Sequence, residues 1–408
     1  MPTLIGRRHF IGGALASSVP RAAKSATPRI KLGVLTDAAG SYADIAGPGS
    51  FAAVQLAAAD FRAVRPDIPV DVVMGDFQLK PDLAVSIVRS WFDEQGIDAV
   101  LDVPSSSAAL AISHLVRSKD KVALFSGAIT TELTGASCSP NHVHWMYDSY
   151  SIASGAAHAL LSEGGDKWFF IAADNAMGSA LTRDASNRVR DEGGSVLGVV
   201  RHPATGASDF SSFILQAQTS GANVLALATA GNELVTLVKQ VAEFGLRQSG
   251  LKIAAFGAEF PLVATLGSDC DGLYVTYNFY ANRNEQSQLF ARRLAQSTGK
   301  PFCSSLHASA YSAAWHYLKT VASMGPDAAK TSGAGTVARM KAIPTEDPVL
   351  GSGEIRTDGR KLNPMFLLKG KARNDVQYPG DLLSVVREIP PEAAFLAISP
   401  SCKMESVR

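Results

Sequence analysis

No run of about 18 or more apolar residues occurs in this 408-residue sequence, so nothing in it reads as a permanent membrane span. Charge of one sign is equally scarce. Lys and Arg total 38 against 37 Asp and Glu, and a net charge of +1 offers no field for nucleic acid or an anionic membrane. The four cysteines, Cys138, Cys270, Cys303 and Cys402, lack any Cys-x-x-Cys spacing, which argues against a zinc site. Gly-x-Ser-x-Gly, His-Glu-x-x-His and the P-loop pattern are missing, and with them the common hydrolase and nucleotide signatures. No repeat of about 20 to 50 residues and no heptad run is visible.

What is present is enough apolar residue, 46% with 18% charged, for a soluble globular protein whose length suits two domains. At the start, Arg7-Arg8-His9-Phe10-Ile11 precedes the mildly apolar Gly12 to Val19, then Arg21 and Lys24. Residues 1–28 resemble a twin-arginine export signal with Ala23-Lys24-Ser25 as the cleavage site, which predicts a periplasmic protein. In an exported protein four cysteines permit three pairings, and sequence does not choose among them.

From Ile30 onward, apolar runs of strand length alternate with helical patterns. The strands expected are 30–35, 70–74, 99–103 and 122–125, then 168–172, 196–200, 224–228 and 253–256. Two four-strand series joined near Met146 to Ser151 predict two similar α/β lobes. After Leu273 to Tyr277 come helices at 285–296 and 306–324 and a soft Gly/Ser stretch at 330–335. Thr357-Asp358-Gly359 then predicts a hairpin pairing Glu354 to Arg356 with Met365 to Leu368.

The glycine-rich segment LTDAAGSYADIAGPGSF, residues 35–51, follows the first strand and precedes a helix, as a phosphate cradle would. Its glycines miss the Gly-x-Gly-x-x-Gly offset, and Tyr42 and Asp44 would crowd and repel a pyrophosphate. Ser105-Ser106-Ser107 follows one strand and opens a helix, and Ala128 to Thr131 follow another. Hydroxyls and free N–H groups at a helix start suit a carboxylate, and open α/β sheets bind ligands at the carboxyl ends of their strands. His142 and His144 read as satisfied structural histidines, and Asp37, Asp60, Asp76 and Asp102 as caps of turns or helices.

In order along the chain, LTDAAGSYADIAGPGS, VPSSSAALAIS, FSGAITTELTG, CSPNHVHWMYDSY, AADNAMGSAL, HPATGASDFSSFILQAQTSGANVLALA and AAFGAEF resemble the periplasmic solute-binding proteins of ABC importers, in the leucine/isoleucine/valine-binding branch. The resemblance spans Ile30 to about Ile389. It implies an α/β fold of type I: two Rossmann-like lobes with parallel sheets joined by a three-stranded hinge. Lobe 1 would be 29–147 plus about 279–350, lobe 2 would be 148–278 plus about 351–390, and 391–408 would be a tail.

It further implies a non-enzymatic, monomeric protein without cofactor or metal that closes on a small carboxylate-bearing solute, an amino acid or an aromatic acid. The protein would hand that solute to a membrane permease, bind no nucleic acid and not itself span the membrane. A ligand-sensing receptor uses the same two lobes, but an export signal without a DNA-binding or membrane-spanning segment favours transport. A nucleotide-dependent two-domain enzyme would need the dinucleotide fingerprint that is missing.

Carried over by position, the resemblance makes Tyr42 the aromatic lip, and Ser105 or Ser106, with Ala128 and Thr130, the holders of the carboxylate and ammonium. Glu259 aligns with the acid that pairs with a ligand ammonium. Met177 stands where relatives often place an aromatic, and Asn232 stands where amino-acid binders tend to place a larger aromatic, so a simple aliphatic ligand is disfavoured. The block around Trp145, Tyr147, Asp148 and Tyr150 resembles a sub-branch from bacteria that use aromatic compounds, with Tyr150 over a flat ligand and Trp145 packing the hinge. The same sub-branch implies a disulfide between Cys138 and Cys402.

Overall fold

The computed structural model describes residues 1–3 and 28–404, so the twin-arginine motif lies outside the described residues. The first half supplies β1 (Ile30–Thr36), α1 (Gly47–Val64), β2 (Val70–Asp76), α2 (Pro81–Ser90), β3 (Ala99–Asp102), α3 (Ser106–Ser118), β4 (Val122–Phe125) and β5 (His142–His144). These strands form one parallel sheet in the order β2-β1-β3-β4-β5. Its strands are nearly continuous apolar runs because both faces are covered.

The chain then runs through α4 (Ser149–Ser162), β6 (Lys167–Ala173), α5 (Ala176–Asp191), β7 (Ser195–His202), α6 (Ser211–Thr219), β8 (Val224–Ala230), α7 (Gly231–Glu243), β9 (Lys252–Gly257), α8 (Phe260–Leu266) and β10 (Leu273–Tyr277). It returns to the first lobe with α9 (Glu285–Thr298), α10 (Ser305–Met324), α11 (Pro326–Thr331) and α12 (Gly333–Ala342). It ends in β11 (Thr345–Asp347), β12 (Gly351–Ile355), β13 (Lys361–Leu362), β14 (Met365–Gly370), β15 (Leu383–Ile389) and α13 (Pro391–Ala394). The second sheet has the order β15-β14-β10-β9-β8-β6-β7, parallel except at the two strands that return late.

Three departures from the sequence reading have local causes. The soft stretch 330–335 is two helices broken at Ser332, whose hydroxyl accepts from Gly335 N and caps the second. The turn at Thr357 to Gly359 joins Ile355 to Lys361, while Met365 to Gly370 pairs with β10 and β15, so the apolar run belongs to the second sheet. Ile355 is buried in the first core and Arg360 bridges to His144, so the last crossing between lobes falls at 360–364, later than the expected 350. Cys138 and Cys402 are joined in a disulfide, and Cys270 and Cys303 are free and buried. Among the described residues, no helix is long and apolar enough to cross a membrane.

Candidate ligand site between the lobes

In the first sheet the strand order reverses at β1 and β3, and in the second at β6, flanked by β7 and β8. Loops leaving such strands diverge to opposite faces and open a crevice. A cavity of about 120 Å³ occupies it, lined from β1 by Tyr42 and Ile45, from β3 by Pro104 to Ser107, and from β6 by Asn175 to Met177. Ile129, Tyr147, Thr205, Phe256, Glu259 and Leu306 complete most of the wall. A water needs about 10 to 15 Å³ on this measure, so the space suits a solute of about ten non-hydrogen atoms.

One wall presents the start of a helix to the cavity. Asp102 and Val103 adopt φ of +76° and +59°, a left-handed conformation that costs these side chains about 1 to 3 kcal/mol each and turns the chain sharply out of β3. The turn presents Ser105 as the N-cap of α3, its hydroxyl accepting from Ala108 N at 3.3 Å. The N–H groups of Ser106 and Ser107, in the first turn of a 13-residue helix, have no intrahelical acceptor. Ser106 Oγ is buried and has no partner among the described residues. Asp102, at the end of β3, is fully buried, and burial, offset in part by the Thr36 and Ser50 hydroxyls, lifts its pKa to about 7.

The opposite wall carries Glu259. Its backbone is the N-cap of α8, but its side chain leaves that helix uncapped and crosses to the first lobe. There Oε1 accepts from the Tyr147 hydroxyl and Oε2 from Ser305 N at 2.7 Å, at the start of the 20-residue α10. Glu259 is 2% exposed, and burial, offset in part by these two donors, raises its pKa to about 7.

Further contacts hold the lobes together. Tyr42 Oη lies 3.8 Å from Met177 Sδ, and Ser41 Oγ donates to Glu233 and accepts from Asn232 N at 3.0 Å. Gly231, at φ +70°, makes this possible, because a Cβ there would collide with Ser41. Across the other side of the cleft, Thr131 Oγ1 donates to Asp184 at 3.2 Å and Arg183 reaches Thr131 and Glu132.

Of the residues singled out in the sequence, the structure brings Tyr42, Ser105, Ser106, Met177 and Glu259 together on the cavity. Ala128, Thr130 and Tyr150 are not among the lining. The Ala128 carbonyl accepts from His144 Nε2 at 2.7 Å, and Thr130 Oγ1 caps Glu132 N at 3.3 Å. Tyr150 follows the capping box of Asp148 and Ser151 into α4, and Tyr147 supplies the cavity's aromatic ring from that block. Trp145 is fully buried, its indole N–H donating to Ser312 at 2.9 Å. Asp37 and Asp76 cap loop N–H groups, but Asp60 pairs with Arg293 and Tyr311.

The sequence reading missed Arg360. It is fully buried at the hinge, with Nη1 donating to Asp148 Oδ2 at 3.1 Å and to His144 Nδ1 at 3.0 Å. Nη2 donates to the carbonyls of His144 and Met146, and the guanidinium lies 5.0 Å from the Phe395 ring centroid. The adjacent Lys361 is buried as well, 5.9 Å from the Trp145 ring, with its pKa pushed down to about 8 by burial.

Two lobes meeting over a cavity that holds the start of a helix have the architecture of a solute-binding protein. The chain belongs to the periplasmic binding protein family, whose description it matches over residues 29–375. A periplasmic binding protein from Burkholderia mallei is 38% identical, with a TM-score of 0.85 over 90% of this chain and 96% of that one. A branched chain amino acid ABC transporter periplasmic ligand-binding protein from Burkholderia xenovorans LB400 is 34% identical, with a TM-score of 0.80 over 92% and 100%. An ABC transporter solute binding protein from R. palustris, in complex with 4-hydroxybenzoate, shares the fold at 19% identity and a TM-score of 0.81 over 90% and 99%. No curated protein matches the chain. The protein is therefore an extracytoplasmic solute-binding component of ABC import, a family of transport proteins and not of enzymes.

Proposed function

We propose that the chain captures a small carboxylate-bearing solute, an amino acid or an aromatic acid, and presents it to a membrane permease as a monomer. The juxtaposition that carries this reading is the start of α3, with the N–H groups of Ser106 and Ser107 left over, on one wall and the carboxyl of Glu259 on the other. The solute carboxylate would take the N–H groups and hydroxyls of Ser105 to Ser107, and its body would pack on Tyr42, Tyr147, Phe256 and Met177. The two R. palustris proteins solved with 4-hydroxybenzoate and benzoate and the Brucella ovis leucine-, isoleucine-, valine-, threonine- and alanine-binding protein make both solute classes reasonable probes.

The test is a thermal-shift screen of amino acids against aromatic acids on the mature protein. A solute at about 100 times its Kd adds about 2.7 kcal/mol to apparent stability. No shift from either class would overturn the reading.

Glu259 separates the classes by pH. Its pKa of about 7 in the closed form, above the ordinary 4.5, means that closing takes up a proton between those values. The stabilisation is full below the ordinary pKa and is lost as pH rises through the closed-state pKa. For an amine-free acid, affinity is expected to fall between about pH 4.5 and 7, by at most about tenfold per pH unit, and to level off above that. An ammonium beside Glu259 favours the carboxylate and removes that fall. Calorimetric titrations in buffers of different ionisation enthalpy count the proton directly.

Export by the twin-arginine route is part of the same proposal. A reporter fused to residues 1–28 is expected to reach the periplasm, and Arg7→Lys with Arg8→Lys to retain it in the cytoplasm. Equal export of both fusions would refute the route.

A further inference from the structure

The backbone crosses between the lobes three times, and the C-terminal tail adds a fourth crossing that is closed covalently. Its second-lobe end is firmly held. β15 is hydrogen-bonded into the second sheet, Ile389 packs against Gly155 of α4, and Ala394 and Phe395 are buried. Its other end is the disulfide from Cys402 to Cys138. The Cys138 segment belongs to the first lobe, where Ser113 Oγ donates to Ser137 O at 3.4 Å and His142 Nε2 meets Leu133 O at 2.7 Å.

Only Leu396 to Ser401 lie between the two anchors. This stretch is folded on itself, with Cys402 N donating to Ser399 O at 3.0 Å, and Arg356 holds it by one bond to Leu396 O at 2.6 Å. Leu396 and Ile398 are exposed, so little packing would be lost if the turn were pulled out. The tail also borders the closing contacts, sharing a polar recess with Thr131, Glu132, Arg183 and Asp184.

We propose that this disulfide-closed tail is a strap that limits how far the lobes open. The proposal rests on the two-lobed solute-binding reading. From Phe395 to Cys402 the chain makes seven Cα-to-Cα steps, so its anchors can separate by at most about 24 Å, and only after the turn at Ser399 has been unfolded. A bounded open state is nearer to the closed one. Less of the solute's binding free energy then goes into closing the lobes, and affinity rises without any new contact to the solute.

The test measures lobe separation in solute-free protein, so it does not depend on what the cavity holds. Spin labels carried by unnatural amino acids at Ala63 on α1 and Gln218 on α6, both exposed, report the distance. The double variant Cys138→Ser with Cys402→Ser is expected to lengthen and broaden the distance distribution. A second variant keeps the disulfide and inserts a flexible Gly/Ser segment of about ten residues between Ile398 and Ser399, which slackens the strap without removing the cross-link. It is expected to shift the distribution in the same direction. Identical distributions for the parent and both variants would overturn the proposal. So would a shift on removing the disulfide that the slackened strap fails to reproduce, because the cross-link would then act locally and not through reach. A failed solute screen would leave these distances unchanged, which separates the two outcomes.

Discussion

Replacing Arg360 with methionine is expected to destabilise the protein by about 3 to 5 kcal/mol, the usual cost of removing one partner of a buried ion pair. Methionine fills much of the volume but leaves Asp148 buried without its cation. It also leaves the carbonyls of His144 and Met146 without the guanidinium donors. Burial already raises the pKa of Asp148 and the Arg360 charge opposes that shift, so without the cation Asp148 would be driven further towards its neutral form. Urea unfolding of Arg360→Met beside Arg360→Met with Asp148→Asn checks the mechanism. The amide keeps an acceptor for the Ser151 N–H cap of α4 while removing the stranded charge, so the double variant should recover part of the loss. Arg360→Lys should remain damaged, because an ammonium cannot reproduce a planar fork that serves two carbonyls, an imidazole and a carboxylate at once. A single variant within about 1 kcal/mol of the parent would show that the pair is replaceable by packing.

Such a residue was invisible in the sequence for a physical reason. Arg360 meets His144, Met146 and Asp148 more than 200 positions away, and nothing in Asp358-Gly359-Arg360-Lys361 distinguishes a hinge cation from a solvated turn. The βα alternation was legible because parallel strands covered on both faces leave apolar runs, and every strand expected up to residue 277 exists within two residues of its expected ends. β5 was legible in part: His142 and His144 read as satisfied structural histidines, as their bonds to Ser113, Leu133, Ala128 and Arg360 bear out, but His-Val-His is too polar to stand among the expected strands. The serine-, alanine- and glycine-rich α4 likewise lacks the stripe of large apolar side chains that marks a helix in sequence, since small residues let it pack tightly against α5 and β10. At the cavity, Ser105 and Ser106 were legible because they sit just beyond a strand end, where the fold concentrates ligands, whereas Tyr42, Met177 and Glu259 were legible through the family resemblance. Ala128 and Thr130 sit beyond a strand end too, but their polar groups are taken by His144 and by the short helix that follows.

Glu259→Ala is expected to weaken solute binding about 100-fold or more, mostly through faster release, because this one side chain belongs both to the cavity and to the contact that shuts it. Alanine leaves the Tyr147 hydroxyl and the Ser305 N–H without their acceptor inside the closed cleft, a penalty the open form escapes by exposing both to water. Glu259→Gln separates the two roles. A glutamine can accept from Ser305 N with its oxygen and donate to the Tyr147 hydroxyl with its amide, so the lobe-to-lobe contact survives without charge. For an amine-free aromatic acid the glutamine variant should therefore bind about as well as the parent does at low pH, and the loss of affinity between about pH 4.5 and 7 should vanish. For an amino acid the same variant should lose about 30-fold or more, since a buried ammonium would face a neutral amide. Stopped-flow release rates and equilibrium titrations at two pH values read all of these outcomes. If alanine leaves affinity unchanged for every solute that shifts the melting temperature, Glu259 neither closes the cleft nor recognises the solute. The anion-binding start of α3 would then have to account for binding alone.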